Sequence, residues 1–396
     1  MVLQQKKMIA YVGPFQFPDG GAGARRVLGI SMSLINAGYK VIIGSGQRST
    51  NKKMEIPGMS LTSLDELPDK QTPLIKKAIR QLTWGGNTVA WLEGLSYRPD
   101  AIILAGGYSP YSKKLLPFCH HYKIPLIVDV VEWFQPAHLP GGFLGPFHLN
   151  IELAMRWYHV RARNIIPISR CLEDYYCRRG CRTIRIPPTL DVQTTFARLD
   201  VNSGAGPLIL AYTGLPGKKD LLNNVVEALL QIDPEGHHVR LVVAGPRPEE
   251  LLRLAALKRL KATVLPGCVN ALGYVTHERA LNVVREADFT VLLRPPLRYA
   301  QAGFPTKVPE SLAVGTPVIC NITSDLGDYI KDGREGLICR NESVAACVEA
   351  IERALRLKPD QKESMRQAAR SQAERSFDFR NYSEALDRFI QEAYLK

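Results

Sequence analysis

One stretch constrains the fold more than any other. Phe289-Thr290-Val291-Leu292-Leu293 is apolar and too short for a buried helix, so it reads as a buried strand. A loop rich in proline and glycine follows, and a helix is expected to begin near Pro305. That helix stops at Gly315, a residue suited to the left-handed turn that ends helices, and Pro317 to Cys320 forms a second buried strand. Strand, glycine-containing loop, helix start and strand is a layout by which α/β folds hold phosphate, because free N–H groups and the dipole at a helix start favour an anion. Thr306 and Lys307 bring a hydroxyl and a cation to that place. Glu310, one turn on, can accept two hydroxyls of a sugar ring. The same pattern also suits an ordinary βαβ unit whose loop happens to be rich in glycine and proline.

Gly303-Phe304, Glu310 and Gly315-Thr316-Pro317-Val318-Ile319 together resemble the donor-binding signature of the family-4 retaining glycosyltransferases of GT-B fold. That signature has two glutamates eight positions apart. Ala302 stands at the first of them, and Phe304-Pro305-Thr306-Lys307 gives the variant carried by some branches of the family. The resemblance implies two Rossmann-like, doubly wound α/β domains facing a central cleft. It places an acceptor-side domain at 1–190, a linker at 191–206, a nucleotide-sugar-binding domain at 207–375, and a terminal helix, 376–396, packing back on the first domain. With Ala302 in place of a glutamate, it implies front-face transfer assisted by the leaving phosphate.

Length and composition agree with two domains. A chain of 396 residues exceeds what one hydrophobic core usually serves, and 45% hydrophobic with 22% charged residues is ordinary globular composition. No run approaches the roughly 18 apolar residues a membrane-spanning helix needs. Met8 to Val12 is too short for a signal peptide, so a cytoplasmic protein is expected, soluble or peripheral on the inner face of the membrane. The eight cysteines lack a CxxC pair. Cys171, Cys177 and Cys181 are close in sequence but would point to different faces of a helix, so buried thiols are expected rather than a metal site. Charge is uneven: residues 1–198 hold 25 Lys and Arg against 13 Asp and Glu, whereas 199–396 hold 26 against 25. A basic first half suits an anionic membrane surface or a pyrophosphate-linked acceptor. Nucleic acid is not expected, since no recognised motif for it is present.

Taken in order, Met8–Gly13 reads as a strand opening into a glycine-rich stretch, then a helix to Asn36 with Gly38 beyond its end. The resemblance makes Gly21, Gly23 and Arg25 a loop that faces the reacting sugar. Strands are expected at Lys40–Gly44, Met59–Leu64, Ala101–Leu104, Pro125–Val130, Asn164–Ser169 and Ile184–Pro188. Apolar positions 74, 75, 79 and 82 have helical spacing with basic residues opposite; that helix either lies on a membrane with Trp84 at the interface or is an ordinary surface helix. Asp129, Glu132 and Trp133 sit at a strand's C-terminal end, where open α/β sheets keep their sites. Glu132 is the candidate base, and Asp129 and Trp133 are candidate acceptor contacts; the alternative is a salt bridge to a nearby arginine. The apolar, glycine-rich loop Pro136–Pro146 is expected as a lid or an acceptor-facing loop.

The second half repeats the device. Gly214-Leu215-Pro216-Gly217-Lys218-Lys219-Asp220 is a glycine turn with cations before a helix. The resemblance puts a lysine here on the donor diphosphate, which selects Lys219 with Lys218 close behind and Gly214 at the turn. It also makes Tyr274 and Val275 contacts of the nucleotide base and Gly303 and Phe304 part of the donor pocket. Leu215 stands near the place of the family's arginine, and Arg294 is the candidate substitute. Strands at Asp325–Ile330 and Gly336–Cys339 are expected to complete the sheet. The reading is a retaining glycosyltransferase that uses a UDP- or GDP-linked sugar as co-substrate, with no cofactor or metal. Its acceptor is a saccharide or a lipid-linked acceptor of cell-surface polysaccharide biosynthesis. Another nucleotide-sugar enzyme such as an epimerase, or a non-catalytic donor-binding subunit, would share the pattern; products formed from donor alone, and activity of the purified chain, separate them.

Overall fold

The computed structural model describes residues 7–48, 56–68, 73–198 and 206–394. It divides into two compact units. The first comprises Met1–Leu190, Ala302–Phe304 and Phe379–Lys396; the second comprises Asp191–Gln301 and Pro305–Asp378.

The first unit is built on seven strands: β1 (Met8–Gly13), β2 (Lys40–Ser45), β3 (Met59–Ser63), β4 (Ala101–Ala105), β5 (Leu126–Val130), β6 (Asn164–Pro167) and β7 (Arg182–Thr183). Their order is β3-β2-β1-β4-β5-β6-β7, and each neighbouring pair is parallel. Parallel strands are covered on both faces, which is why β1, β4 and β5 are near-continuous apolar runs without alternation. The helix Gly21–Asn36 turns Val27, Ile30 and Leu34 onto Ile9, Tyr11, Ile43 and Ile103, and Leu386, Phe389 and Ile390 of the helix Ser383–Ala393 complete that core. It stops as expected before Gly38, whose φ of 93° L-residues rarely adopt. Within the helix, a Cβ on Gly29 would lie 2.4 Å from Thr189 Oγ1 and 2.6 Å from its carbonyl oxygen. Gly29→Ala is therefore expected to destabilise the protein by about 1–3 kcal/mol, despite alanine's better helix propensity, when urea midpoints are compared.

The second unit has six parallel strands: β8 (Leu208–Thr213), β9 (Val239–Ala244), β10 (Val269–Gly273), β11 (Phe289–Leu292), β12 (Val318–Asn321) and β13 (Gly336–Cys339). Their order is β10-β9-β8-β11-β12-β13. The helix Lys307–Ala313 ends near Gly315 (φ 78°), and Thr276 caps the helix His277–Glu286 by accepting from the Arg279 N–H, both as the sequence suggests.

Several expectations are corrected. Asp325–Ile330 is not a strand: Leu326–Tyr329 is a helical turn, with Leu326 and Ile330 spaced to bury one helical face. The loop after β11 contains the short helix Arg298–Ala302. The last strand of the first sheet is Arg182–Thr183, after which the N–H groups of Ile184 and Ile186 still bond to Ile165 and Pro167. Trp84 is no membrane anchor, since it is buried edge-on against Tyr108. The side chains of the expected apolar stripe at 74, 75 and 79, and most of the linker (199–205), lie outside what the structure describes. Six cysteines are buried, but Cys171 and Cys177 are exposed, contrary to the expectation of buried thiols throughout. Among the described residues no helix is long and apolar enough to cross a membrane, and no group of three or more His, Cys, Asp or Glu is placed to hold a metal ion.

Candidate functional site

Both sheets reverse strand order once, and in open parallel sheets the crevice beyond the strand ends at that reversal is where ligands bind. In the second unit the reversal falls between β8 and β11. The chain leaves β8 through Gly214 and the turn to Asp220, and leaves β11 through Leu293 and Arg294. A backbone bond from Leu221 N–H to the Leu293 carbonyl joins these two exits (2.8 Å).

Asp220 is the hub. Its side chain is 4% exposed; Oδ1 accepts from Arg294 Nε at 2.8 Å, and Oδ2 accepts from Lys307 Nζ at 2.6 Å and from the Tyr212 hydroxyl at 2.7 Å. Lys307 Nζ also lies 3.7 Å from the centroid of the Tyr212 ring, a cation–π contact. Arg294 is fixed at its backbone, where Asn321 Oδ1 accepts its N–H and Asn321 Nδ2 donates to its carbonyl. Gly214 lies beside the lysine, where a Cβ would stand in ordinary contact 3.5 Å from Lys307 Cε; its φ of 86°, rather than lack of space, is what suits glycine. Gly245 packs so closely on Gly214 that a Cβ would meet its carbonyl oxygen at 2.7 Å.

Burial alone would push the Asp220 carboxyl up, but Lys307 and Arg294, with the hydrogen bonds from Lys307 and Tyr212, hold it below the usual carboxylate range. Burial pushes the Lys307 ammonium below the usual lysine range, against the pull of Asp220. Two cations therefore share one carboxylate in a low-dielectric pocket. The Glu310 carboxylate also acts on Lys307, so two cations stand beside two carboxylates, and it is the fixed position of the cations that suits an incoming anion.

Lys307, Arg294 and Gly214 are thus brought together. Glu310 acts on Lys307 electrostatically from one turn along the helix. Thr306 precedes that helix without capping it through its side chain; at seven residues the helix has little dipole, so the cations carry the field. Lys219 is half-buried, its carbonyl accepting from the Tyr299 hydroxyl at 2.8 Å, and Lys218 is exposed on the same turn. Tyr274 is exposed, its hydroxyl donating to Glu250 Oε1 and its ring carrying Arg247, with half-buried Val275 beside it. Gly303 and Phe304 are buried on the same segment, directly ahead of Pro305-Thr306-Lys307.

In the first unit the reversal falls between β1 and β4. Gly13 lies so close to β4 that a Cβ would stand 2.7 Å from the Ala105 carbonyl oxygen. Gly21 and Gly23 are not in a loop, as the sequence suggests: they are exposed in the first turn of the helix Gly21–Asn36, a Cβ on either would meet nothing within 4 Å, and Arg25 beside them is half-buried. Asp129 is corrected as an acceptor contact. It is 1% exposed; Arg26 Nη2 donates to Oδ1 at 2.8 Å, Arg26 Nε donates to both oxygens, and the Tyr11 hydroxyl donates to Oδ2 at 2.5 Å. Arg26 Nη1 also donates to the carbonyls of Ile186 and Pro187. The salt-bridge alternative holds for this residue. Trp133 is also turned inward: its Nε1–H donates to Glu152 and its ring meets Tyr175 edge-on. Glu132 is half-buried next to Tyr108, whose phenol is pushed up to about 12 by burial and then by Glu132.

The sequence reading overlooked Asp220, Tyr212, Asn321 and Arg26. Asp220 carries a signal, since it directly follows Lys218-Lys219 on a glycine turn. Nothing local marks the others.

Residues 197–372 match the family model described as glycosyl transferases group 1. Glycogen synthase of Mycobacterium tuberculosis is 26% identical over 398 residues, covering 92% of this chain and 89% of that protein. Among solved structures, sucrose-phosphate synthase from Thermosynechococcus elongatus superposes with a TM-score of 0.76 at 17% identity, over 98% of this chain and all of that one. Anabaena HepE, solved in complex with UDP-glucose, superposes with a TM-score of 0.65 at 13% identity, over 97% of this chain and 99% of its own.

Proposed function

We propose that this chain, a glycosyltransferase of GT-B fold, moves a sugar from a nucleotide-sugar donor to a saccharide or lipid-linked acceptor with retention of anomeric configuration. The observation that carries this reading is the pairing of Arg294 and Lys307 on Asp220 where the second sheet reverses order. Breaking the bond from a sugar to a diphosphate places growing negative charge on the leaving group. Cations already fixed in a dry pocket stabilise that charge without reorganising, and this is often the largest single contribution to catalysis. Lys307 and Arg294 would face the diphosphate, Lys219 and Lys218 would approach it from the turn, and Glu310 would accept sugar hydroxyls. Tyr274 and Val275 are proposed to flank the base. HepE's complex with UDP-glucose favours a UDP-linked donor here, with a GDP-linked one next in line. Glu132 is the proposed group for an acceptor hydroxyl, half-buried at the end of β5. With Ala302 in place of a carboxylate, the proposed transfer proceeds on one face of the sugar, assisted by the leaving phosphate.

The acceptor is proposed to belong to cell-surface polysaccharide assembly and to be met at the inner membrane face. The excess positive charge of residues 1–198 supports this, since it suits an anionic surface. Thermal unfolding in the presence of UDP-, GDP-, ADP- and dTDP-sugars tests the donor site. One nucleotide series is expected to stabilise the protein by about 2.7 kcal/mol at a hundredfold excess over its Kd. That stabilisation should be absent in Lys307→Met. If no nucleotide sugar raises the unfolding temperature of the wild-type chain, the donor reading fails.

A further inference from the structure

The segment after β5 carries more apolar surface than its own packing uses. Residues 146–162 form one continuous helical stretch: Pro146–Leu153, a π turn at Ala154–Tyr158, and His159–Ala162. One face is consumed by the core, with His148, Ile151, Met155 and His159 all buried. The opposite face is also apolar and is left to solvent: Leu149 is 53% exposed, Leu153 47% and Trp157 51%. On a regular α-helix residues four apart drift by about 40° per step, and the wider π turn takes up part of that drift, keeping Trp157 in line with the two leucines. Just before the helix, Phe143 and Leu144 project even further, at 71% and 80% exposed.

The chemistry of this face selects its occupant. Every exposed position from 141 to 163 is glycine, proline, an apolar residue or arginine. Protein interfaces of soluble partners carry a polar rim with about one hydrogen bond per 100–200 Å², and among the exposed side chains of this surface only the arginines and the Trp157 indole N–H can make one. The arginines lie at its edge. Arg161 stacks on Trp157 with Cζ 4.0 Å from the ring centroid, and Arg156 is anchored by Glu152. Glu152, the acidic residue of this stretch, is turned inward to Trp133 and Arg156. Exposed Leu, Phe and Trp bordered by arginine is the composition of a surface that lies in the headgroup layer, apolar side chains entering the acyl boundary while guanidinium groups meet lipid phosphate.

We propose that the face bearing Phe143, Leu144, Leu149, Leu153 and Trp157, edged by Arg156 and Arg161, docks on an anionic lipid bilayer. The proposal rests on the reading that the acceptor is met at a membrane, and it replaces Trp84 with this face as the point of attachment.

Flotation of the full chain with vesicles of phosphatidylcholine, with and without phosphatidylglycerol, tests it. The wild-type protein is expected to bind the anionic vesicles, more weakly as salt rises, with its tryptophan fluorescence quenched by brominated lipid. Phe143→Ser/Leu144→Ser should weaken binding at least about tenfold, and Trp157→Phe should remove most of the quenching while binding persists. Both substitutions lie on the exposed face, so the donor-induced thermal shift should be unchanged; that readout separates failure of docking from failure of the donor site. Wild-type protein that ignores both vesicle types, or a serine variant that binds as well as wild type, would overturn the proposal. So would a solution dimer that the serine variant dissociates, which would assign the face to a second copy.

Discussion

Lys307→Met is expected to lower kcat by about 10²–10³-fold, because it removes a fixed cation from the place where the leaving diphosphate gains charge. Folding should survive, since methionine matches the buried stem of the lysine. Asp220→Asn should behave differently. It leaves Lys307 and Arg294 facing each other without the carboxylate that bridges them, and breaking a buried pair on one side typically costs about 3–5 kcal/mol. Here the loss should appear first in the urea midpoint. The double variant Lys307→Met/Asp220→Asn is then expected to be more stable than Asp220→Asn alone, because the stranded charge is gone, and this non-additivity is the mark of a direct pair. The sign with pH follows from the lowered Asp220 carboxyl. Its contribution is complete above the ordinary carboxylate range and is lost as pH falls through the lowered value, so the acid limb of stability against pH should flatten in Asp220→Asn. Near-normal turnover of folded Lys307→Met would remove the lysine from the mechanism.

Asp129→Asn should cost a comparable amount of stability, about 3–5 kcal/mol, and leave the catalytic rate per folded molecule unchanged. The carboxylate is enclosed, and both its oxygens are taken by Arg26 and Tyr11. Arg26→Met, which withdraws the other partner together with the bonds to Ile186 and Pro187, should be no milder. Urea titration with an activity assay on the same samples decides the matter. A variant within about 1 kcal/mol of wild type but with a sharply raised acceptor KM would return Asp129 to the acceptor role.

The strands were legible because parallel sheets demand unbroken apolar runs: β1, β4, β5 and β11 lie where Val, Ile and Leu cluster. Helix ends at Gly38, Thr276 and Gly315 were legible for local reasons of backbone freedom and capping. Asp325–Ile330 misled because a short apolar–polar segment fits a strand and a single helical turn alike. The site was half legible. Lys307 and Gly214 could be picked from composition around turns and Arg294 from the family resemblance; Asp220 was marked only by its place after Lys218-Lys219, and its pairing could not be read, since it lies 74 and 87 positions from its partners. Asp129 shows the converse: a strand-end carboxylate reads as functional until the arginine 103 positions away is seen to fill it.

The first unit draws its core from both ends of the chain, with Leu386, Phe389 and Ile390 packed among residues of β1, β2 and β4. A nascent polypeptide emerging from the ribosome cannot close that core until residue 390 has appeared, by which point the six strands of the second unit are already synthesised. Maturation is therefore out of step with translation: the lobe begun first is the lobe finished last. Until then it presents uncovered Ile and Val side chains to whatever chaperones attend it.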